Sequence, residues 1–133
     1  MAVVELEIPP RAPFVGVVRL ALASLARSVG LDEERVGDMK IAVSEACANA
    51  VLAHEERALD DPISVRWEDT TDRVIVEIGD RGSIPTNGAG DVDTQGIATR
   101  HVMSLALLKS LVSSCEFSER PGGGSLTRLA FDR

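Results

Sequence analysis

The chain has 133 residues, 44% of them hydrophobic, which is one domain's worth and enough for a core that needs no disulfide or metal. Twenty-one acidic residues against fourteen basic ones give a formal charge of −7, which argues against direct nucleic-acid binding, since neutralising a phosphate backbone takes basic excess. The only aromatics are Phe14, Trp67, Phe117 and Phe131, so a base-stacking platform is equally unsupported and the core is expected to be aliphatic.

In chain order, Val4, Leu6 and Ile8 alternate with Glu5 and Glu7, a strand ended by Pro9 and Pro10. The start lacks the basic residues and apolar run of a signal peptide. Residues 14–29 carry Val17, Val18, Ala21, Leu22, Leu25 and Val29 at helical spacing, with Gly30 as the stop. The longest apolar stretch, residues 15–26, is interrupted by Arg19 and too short to span a bilayer. Asp32 is placed to cap a second helix, with Glu33, Glu34 and Asp38 near its positive end, running to about Ala58. Ile63, Val65 and Trp67, then Val74, Val76 and Ile78, alternate with polar residues around a turn at 69–72, an antiparallel hairpin.

Residues 81–94 hold three glycines, a proline and little apolar content, the composition of a functional lid or a disordered segment. A third helix follows over 95–109, then strands over 112–119 and 125–132 joined by Pro121 and three glycines. Cys47 and Cys115 lack Cys-x-x-Cys spacing and read as reduced, buried thiols of a cytoplasmic protein. The order β-α-α-β-β-α-β-β over 1–133 predicts a single domain, an α/β two-layer sandwich with helices on one face of a mixed, mostly antiparallel sheet.

The second helix holds the first chemical signal. Val36, Met39, Val43, Ala46, Cys47, Ala50 and His54 form one broad apolar stripe at 100° per residue. Ile41, Ala42 and Leu52 make the other side apolar as well, interrupted by Glu45 and Asn49, which stack four residues apart. Such groups among apolar neighbours are costly unless they meet a ligand, a metal or each other; an ordinary side-chain pair on a partly exposed helix is the simpler alternative. Asp80 shares the parity of Val74, Val76 and Ile78, so an acid ends the buried face of its strand, followed by Gly82. It suits an acceptor reading an amino group inside a pocket, although aspartate also ends strands at plain turns. Gly96, near the start of the third helix, offers an anion the free amides of a helix N-terminus. The run of residues 122–124 with Ser125 and Thr127 offers either close approach to a ligand or a simple hairpin connection.

The order of these features is more specific than any one of them. Glu-x-x-x-Asn on a helix, a strand ending Asp-x-Gly, a glycine-bearing loop, a helix-opening glycine and a Gly-rich turn resemble the Bergerat-type ATP-binding fold shared by gyrase, histidine kinases and MutL (the GHKL superfamily). Residues 41–51, Ile-Ala-Val-Ser-Glu-Ala-Cys-Ala-Asn-Ala-Val, are most similar to the signature helix of the anti-sigma regulatory factors, small bacterial serine-protein kinases. The resemblance implies ATP and Mg²⁺ as cofactors. It would make Glu45 the general base or the orienter of the attacking hydroxyl, and Asn49 a holder of Mg²⁺ against the phosphates. Asp80 would accept from the adenine amino group, with Gly82 letting the base approach. Gly96 and the amides of Ile97 and Ala98 would face the phosphates, with Thr127 behind the adenine and Gly124 among the cofactor-binding residues. Phosphoryl transfer asks for positioning and charge neutralisation rather than covalent chemistry, which suits this set. No Gly-x-x-x-x-Gly-Lys-Ser/Thr loop occurs, which excludes a P-loop site.

Two positions depart from the family pattern: Ile84 stands where Asp-x-Gly-x-Gly has its second glycine, and Ala98 replaces the second glycine of the helix-opening motif. Both restrict the backbone where phosphates would lie and affect adenine recognition less. The resemblance implies an anti-sigma factor that phosphorylates an anti-anti-sigma (STAS) protein, with a sigma factor as second partner and a homodimer as the assembly. The alternative is an adaptor of the same fold that binds partners without transfer. A detached ATPase or sensor-kinase domain is a third reading. His54, Met39 and Met103 read as core residues, and His101 lacks partners at zinc-ligand spacing. Residues 31–62 hold nine acids and three bases, so the acidity belongs to the signature helix and its flanks, a docking surface for a basic partner.

Overall fold

The computed structural model describes residues 2–82 and 94–133, of which 94–101 as backbone only. In it the opening alternation becomes β1 (Ala2–Ile8), ended at the two prolines and followed by a single 3₁₀ turn, Ala12–Phe14. Then come α1 (Val15–Ser28), α2 (Glu33–Glu56), the hairpin β2 (Ile63–Asp69) and β3 (Arg73–Gly79), α3 (Thr94–Leu111), β4 (Ser114–Glu119) and β5 (Ser125–Asp132). The last helix ends at Leu111 and takes two residues, Ser110 and Leu111, that the sequence left to the connection before the next strand, because the Val112 amide still reaches the Leu108 carbonyl at 3.2 Å.

The strands lie in the order β1-β2-β3-β5-β4, and all four pairings are antiparallel, so the expected mixture of directions resolves to one. Two hairpins reverse the chain directly. The two helices between β1 and β2 bring it back so that β2 starts where β1 ends, with Ile8 opposite Ile63. Val4, Trp67, Val76, Leu129 and Cys115 align on one face across all five strands. That face and the inner sides of α1 and α2 form the core, in which Val18, Leu22, Met39, Val43, Cys47, Trp67 and Leu129 are all but fully buried. On the opposite face Glu5, Arg66, Glu77, Arg128 and Glu116 line up with alternating sign, and Arg66 binds Glu5, Glu68 and Glu77 at 3.5, 3.0 and 3.4 Å. That face is built for solvent.

Helix ends follow their residues. The Asp32 side chain accepts the Arg35 amide at 2.8 Å, and Gly30 takes φ +90° after α1. α2 stops two residues short of Ala58, which adopts φ +52° while Leu59 donates to the His54 carbonyl and Ala58 to that of Glu55. This is a Schellman closure with alanine where glycine is usual.

Several core assignments need correcting. Met103 is 68% exposed, because Ser104 and Leu108 set the inward phase of α3 and turn its neighbour outward. Val17 points out of α1, and Ala23 and Ala26 take the inner positions instead. Ala42 is buried, unlike Ile41 and Leu52 with which the sequence grouped it. Cys115 is only half-buried, being on the edge strand β4. Cys47 is fully enclosed, and burial pushes its thiol up to about 12. Among the described residues no helix is long and apolar enough to cross a membrane.

Candidate functional site

Asp80 follows directly on β3, and its buried position comes from strand parity: Ile78 and Thr127 form a cross-strand pair on the helix side, and Asp80 is the next residue on that side. Its carboxylate accepts the Gly82 amide on Oδ1 and the Ser125 hydroxyl on Oδ2, both at 3.0 Å. Its own amide donates to the Ser125 carbonyl at 3.0 Å, and its carbonyl accepts Arg120 Nη1 at 3.2 Å. A buried carboxylate held by donors from the sheet and from its own turn is a fixed acceptor.

The turn that follows rests on α2. A Cβ on Gly82 would lie 2.6 Å from the Ala53 carbonyl oxygen and 2.9 Å from the His54 nitrogen, so the close approach this glycine permits here is to helix backbone. Between Asp80 and Gly82, the Arg81 amide donates to His54 Nε2 at 2.9 Å. Gly124, at φ +96°, lies so close to the Asp80 carbonyl that a Cβ would overlap it. The Arg81 guanidinium reaches across to the Pro121 and Gly123 carbonyls at 2.8 and 2.9 Å. The glycine run is thus a hairpin connection packed against the Asp80 turn, and Thr127 is buried beside it.

Further along α2, Asn49 is exposed and donates through Nδ2 to Ser104 Oγ of α3 at 2.6 Å. The bond commits the donor side of the amide to α3 and leaves Oδ1 as its acceptor side. A carbonyl oxygen is a hard donor that suits Mg²⁺ when phosphates and water complete the shell. Among the described residues no three His, Cys, Asp or Glu side chains come together to hold a metal without such help. One turn earlier, Glu45 is half-buried and lines a shallow cleft of about 490 Å³ with Arg19, Gly37, Lys40, Ile41 and Ser44. The Arg19 guanidinium holds Ser44 Oγ at 3.3 Å across that cleft.

The structure thus joins Asp80, Gly82, Gly124 and Thr127 at one end of α2 and sets Asn49 and Glu45 along the same helix. Gly96, Ile97 and Ala98 fall in the opening turns of α3, whose first amides have no intrahelical partner. Ile84, the rest of residues 83–93, where the sequence suggests a lid or a disordered segment, and the His101 side chain lie outside the described residues.

Residues 8–130 match the histidine kinase-like ATPase domain family. The chain belongs to that family. Among curated relatives, the serine-protein kinases RsbW of Bacillus subtilis and Bacillus velezensis are 35% and 39% identical over 79 residues, 59% of this chain and 49% of each relative. The chain therefore spans about half the length of the curated relatives it matches. Among solved structures, the RsbU and RsbW domains of Rv1364c from Mycobacterium tuberculosis superpose with a TM-score of 0.75 at 20% identity, over 100% of this chain and 33% of that one. The SiaB–SiaC complex from Pseudomonas aeruginosa gives a TM-score of 0.65 at 12% identity, covering 98% and 89%. Both support the histidine kinase-like fold.

Three site residues escaped the sequence reading: His54, Ser104 and Arg120. Ser125 was singled out beside the glycine run, but not its pairing with Asp80, which follows from extending the Gly79–Leu126 pair by one residue. His54 was assigned to the core, and it is buried there; its ring nitrogen also serves the Asp80 turn.

Proposed function

We propose that the protein binds ATP with Mg²⁺ and acts as an anti-sigma serine/threonine protein kinase, phosphorylating a STAS-type anti-anti-sigma protein. What carries the reading is Asp80, an aspartate 5% exposed whose carboxylate is fixed by Gly82 and Ser125, suited to accept from the adenine amino group. From His54 back to Glu45 is roughly 13 Å along α2 at 1.5 Å per residue, which supports a base at one end and the terminal phosphate at the other. Asn49 lies between, its Oδ1 available to Mg²⁺, whose charge offsets that of the phosphates. Glu45 borders an open cleft, so a serine or threonine of a second protein has a route to its carboxylate. In that position Glu45 takes the hydroxyl proton or orients the oxygen for in-line attack.

Membership of the histidine kinase-like ATPase family and the RsbW relatives support this reading. So does the SiaB–SiaC complex, a fold neighbour solved with a second protein. On this reading the protein works in the cytoplasm as a homodimer and captures a sigma factor when the STAS partner is phosphorylated. The exposed acids Glu55, Glu56, Asp60 and Asp61 past the end of the site offer a basic partner a docking edge.

The test is transfer from labelled ATP in the presence of Mg²⁺ to a panel of STAS proteins. Label that appears on a partner and disappears with Glu45→Ala supports the kinase. ATP binding with no transfer to any partner overturns it in favour of a second reading, the sequestering adaptor, which Ile84 and Ala98 favour by narrowing the backbone where phosphates would lie.

A further inference from the structure

We propose that His54 is a positioning residue for nucleotide recognition, holding the Asp80 turn against α2 through the Arg81 amide; this rests on the ATP-binding reading above. The three successive amides of that turn each have a different partner. Asp80 donates to the Ser125 carbonyl of β5 at 3.0 Å, Arg81 to His54 Nε2 at 2.9 Å, and Gly82 to the Asp80 carboxylate at 3.0 Å. The first ties the turn to the sheet and the third ties it to itself. The Arg81–His54 bond ties it to the helix that carries Glu45 and Asn49.

The ring chemistry singles out this role. An amide N–H can only donate, so Nε2 presents its lone pair and the imidazole proton sits on Nδ1. Nδ1 is buried and has no hydrogen-bond partner among the described residues. His54 is 0% exposed on a stripe of Val43, Ala46, Cys47 and Ala50, where an apolar side chain would fill the space without leaving an orphaned donor. The gain that offsets this cost is the acceptor at Nε2. Without it the Arg81 amide is unpaired beneath the turn, Gly82 loses its register on the Ala53–His54 backbone, and the Asp80 carboxylate turns with them. His54 does not touch the nucleotide in this scheme; it acts through Asp80.

The test compares the wild type with His54→Phe, which keeps a ring but has no acceptor, and His54→Gln, which returns an acceptor at similar reach. Affinities for Mg-ATP and Mg-GTP are measured by calorimetry. The expected result is an ATP affinity about tenfold weaker in His54→Phe with a matching loss of ATP-over-GTP preference, and recovery of most of both in His54→Gln. GTP affinity should barely move, which separates positioning of Asp80 from general loosening. An unchanged preference in a folded His54→Phe overturns the proposal while leaving the ATP site standing; a wild type that binds no ATP removes the site itself and the proposal with it. Should His54→Phe not fold, long-range ¹⁵N–¹H correlation spectra of the wild type decide. A proton on Nδ1 and an unprotonated Nε2 support the latch, and a proton on Nε2 at neutral pH overturns it.

Discussion

Asp80 and Ser125 are joined twice across the β3–β5 edge: the Asp80 amide donates to the Ser125 carbonyl, and the Ser125 hydroxyl donates to Asp80 Oδ2, each at 3.0 Å. The backbone bond survives any side-chain change at 125, so Ser125→Ala removes the second and keeps the first. The Asp80 carboxylate then keeps the Gly82 amide on Oδ1 and gains a torsional freedom it lacks now. A charge-assisted bond of this kind contributes about 1.5–3 kcal/mol. Ser125→Ala is therefore expected to weaken ATP binding roughly tenfold, with Ser125→Thr recovering most of it. Calorimetric titration of Mg-ATP into the three proteins checks this, and an unchanged affinity in Ser125→Ala would show that Asp80 needs no second anchor.

Glu45 and Asn49 share one side of α2 but stand in different surroundings: Glu45 borders the cleft beside Arg19, and Asn49 is tied to Ser104. Their substitutions should separate accordingly. Glu45→Ala is expected to lower transfer about 10²- to 10⁴-fold, the range for loss of a positioned base, while the rise in melting temperature caused by Mg-ATP stays within error of the wild type. Asn49→Ala should abolish transfer and shrink the melting-temperature rise, and the nucleotide binding that remains should no longer respond to chelation of Mg²⁺ by EDTA. Differential scanning fluorimetry with and without EDTA distinguishes the two patterns.

Much of this site was legible in the sequence because it depends on periods. Strand parity put Asp80 on the buried face, and a spacing of four put Glu45 and Asn49 on one helix side, as the structure has them. What the sequence could not supply is contact between elements distant along the chain. Nothing local says that Gly82 rests on Ala53, that Gly124 abuts the Asp80 carbonyl, or that Ser104 meets Asn49. The Met103 error has a related cause. α3 is apolar nearly all round, so its pattern does not fix which side faces in, and the phase is set by Ser104 and Leu108 docking on the rest of the fold.

The end of α2 holds a residue that can be improved. Ala58 occupies a left-handed conformation, φ +52°, inside a complete Schellman closure, and an L-residue there costs about 1–2 kcal/mol relative to glycine. Part of that gain is lost to the greater freedom of glycine in the unfolded chain. Ala58→Gly is expected to stabilise the fold by about 1 kcal/mol and raise the melting temperature by a few degrees. Ala58 is exposed and its closure is made by backbone groups, so ATP affinity should not change. A lower melting temperature in Ala58→Gly would mean that unfolded-state entropy outweighs the strain.

Cys47 gives the fold a pH limit on its alkaline side. Burial in the core raises its thiol from an ordinary value of 9.0 to about 12. The folded protein therefore keeps a proton that the unfolded chain gives up once pH passes 9, and below that both states hold it. Proton binding is greater in the folded state within this window, so stability falls as pH rises, by roughly 4 kcal/mol across the window from this group alone. Lysines also titrate there, so the comparison is with Cys47→Ala, which starts less stable because it leaves a cavity but lacks this slope. Urea midpoints measured from pH 8 to 11 should fall more steeply in the wild type than in Cys47→Ala. Burial holds the Cys47 thiol protonated and out of reach at pH 8, so a thiol reagent should modify the half-buried Cys115 first and reach Cys47 only on unfolding. Parallel slopes in the two proteins, or rapid labelling of Cys47 in the native state, would show the thiol to be open to solvent.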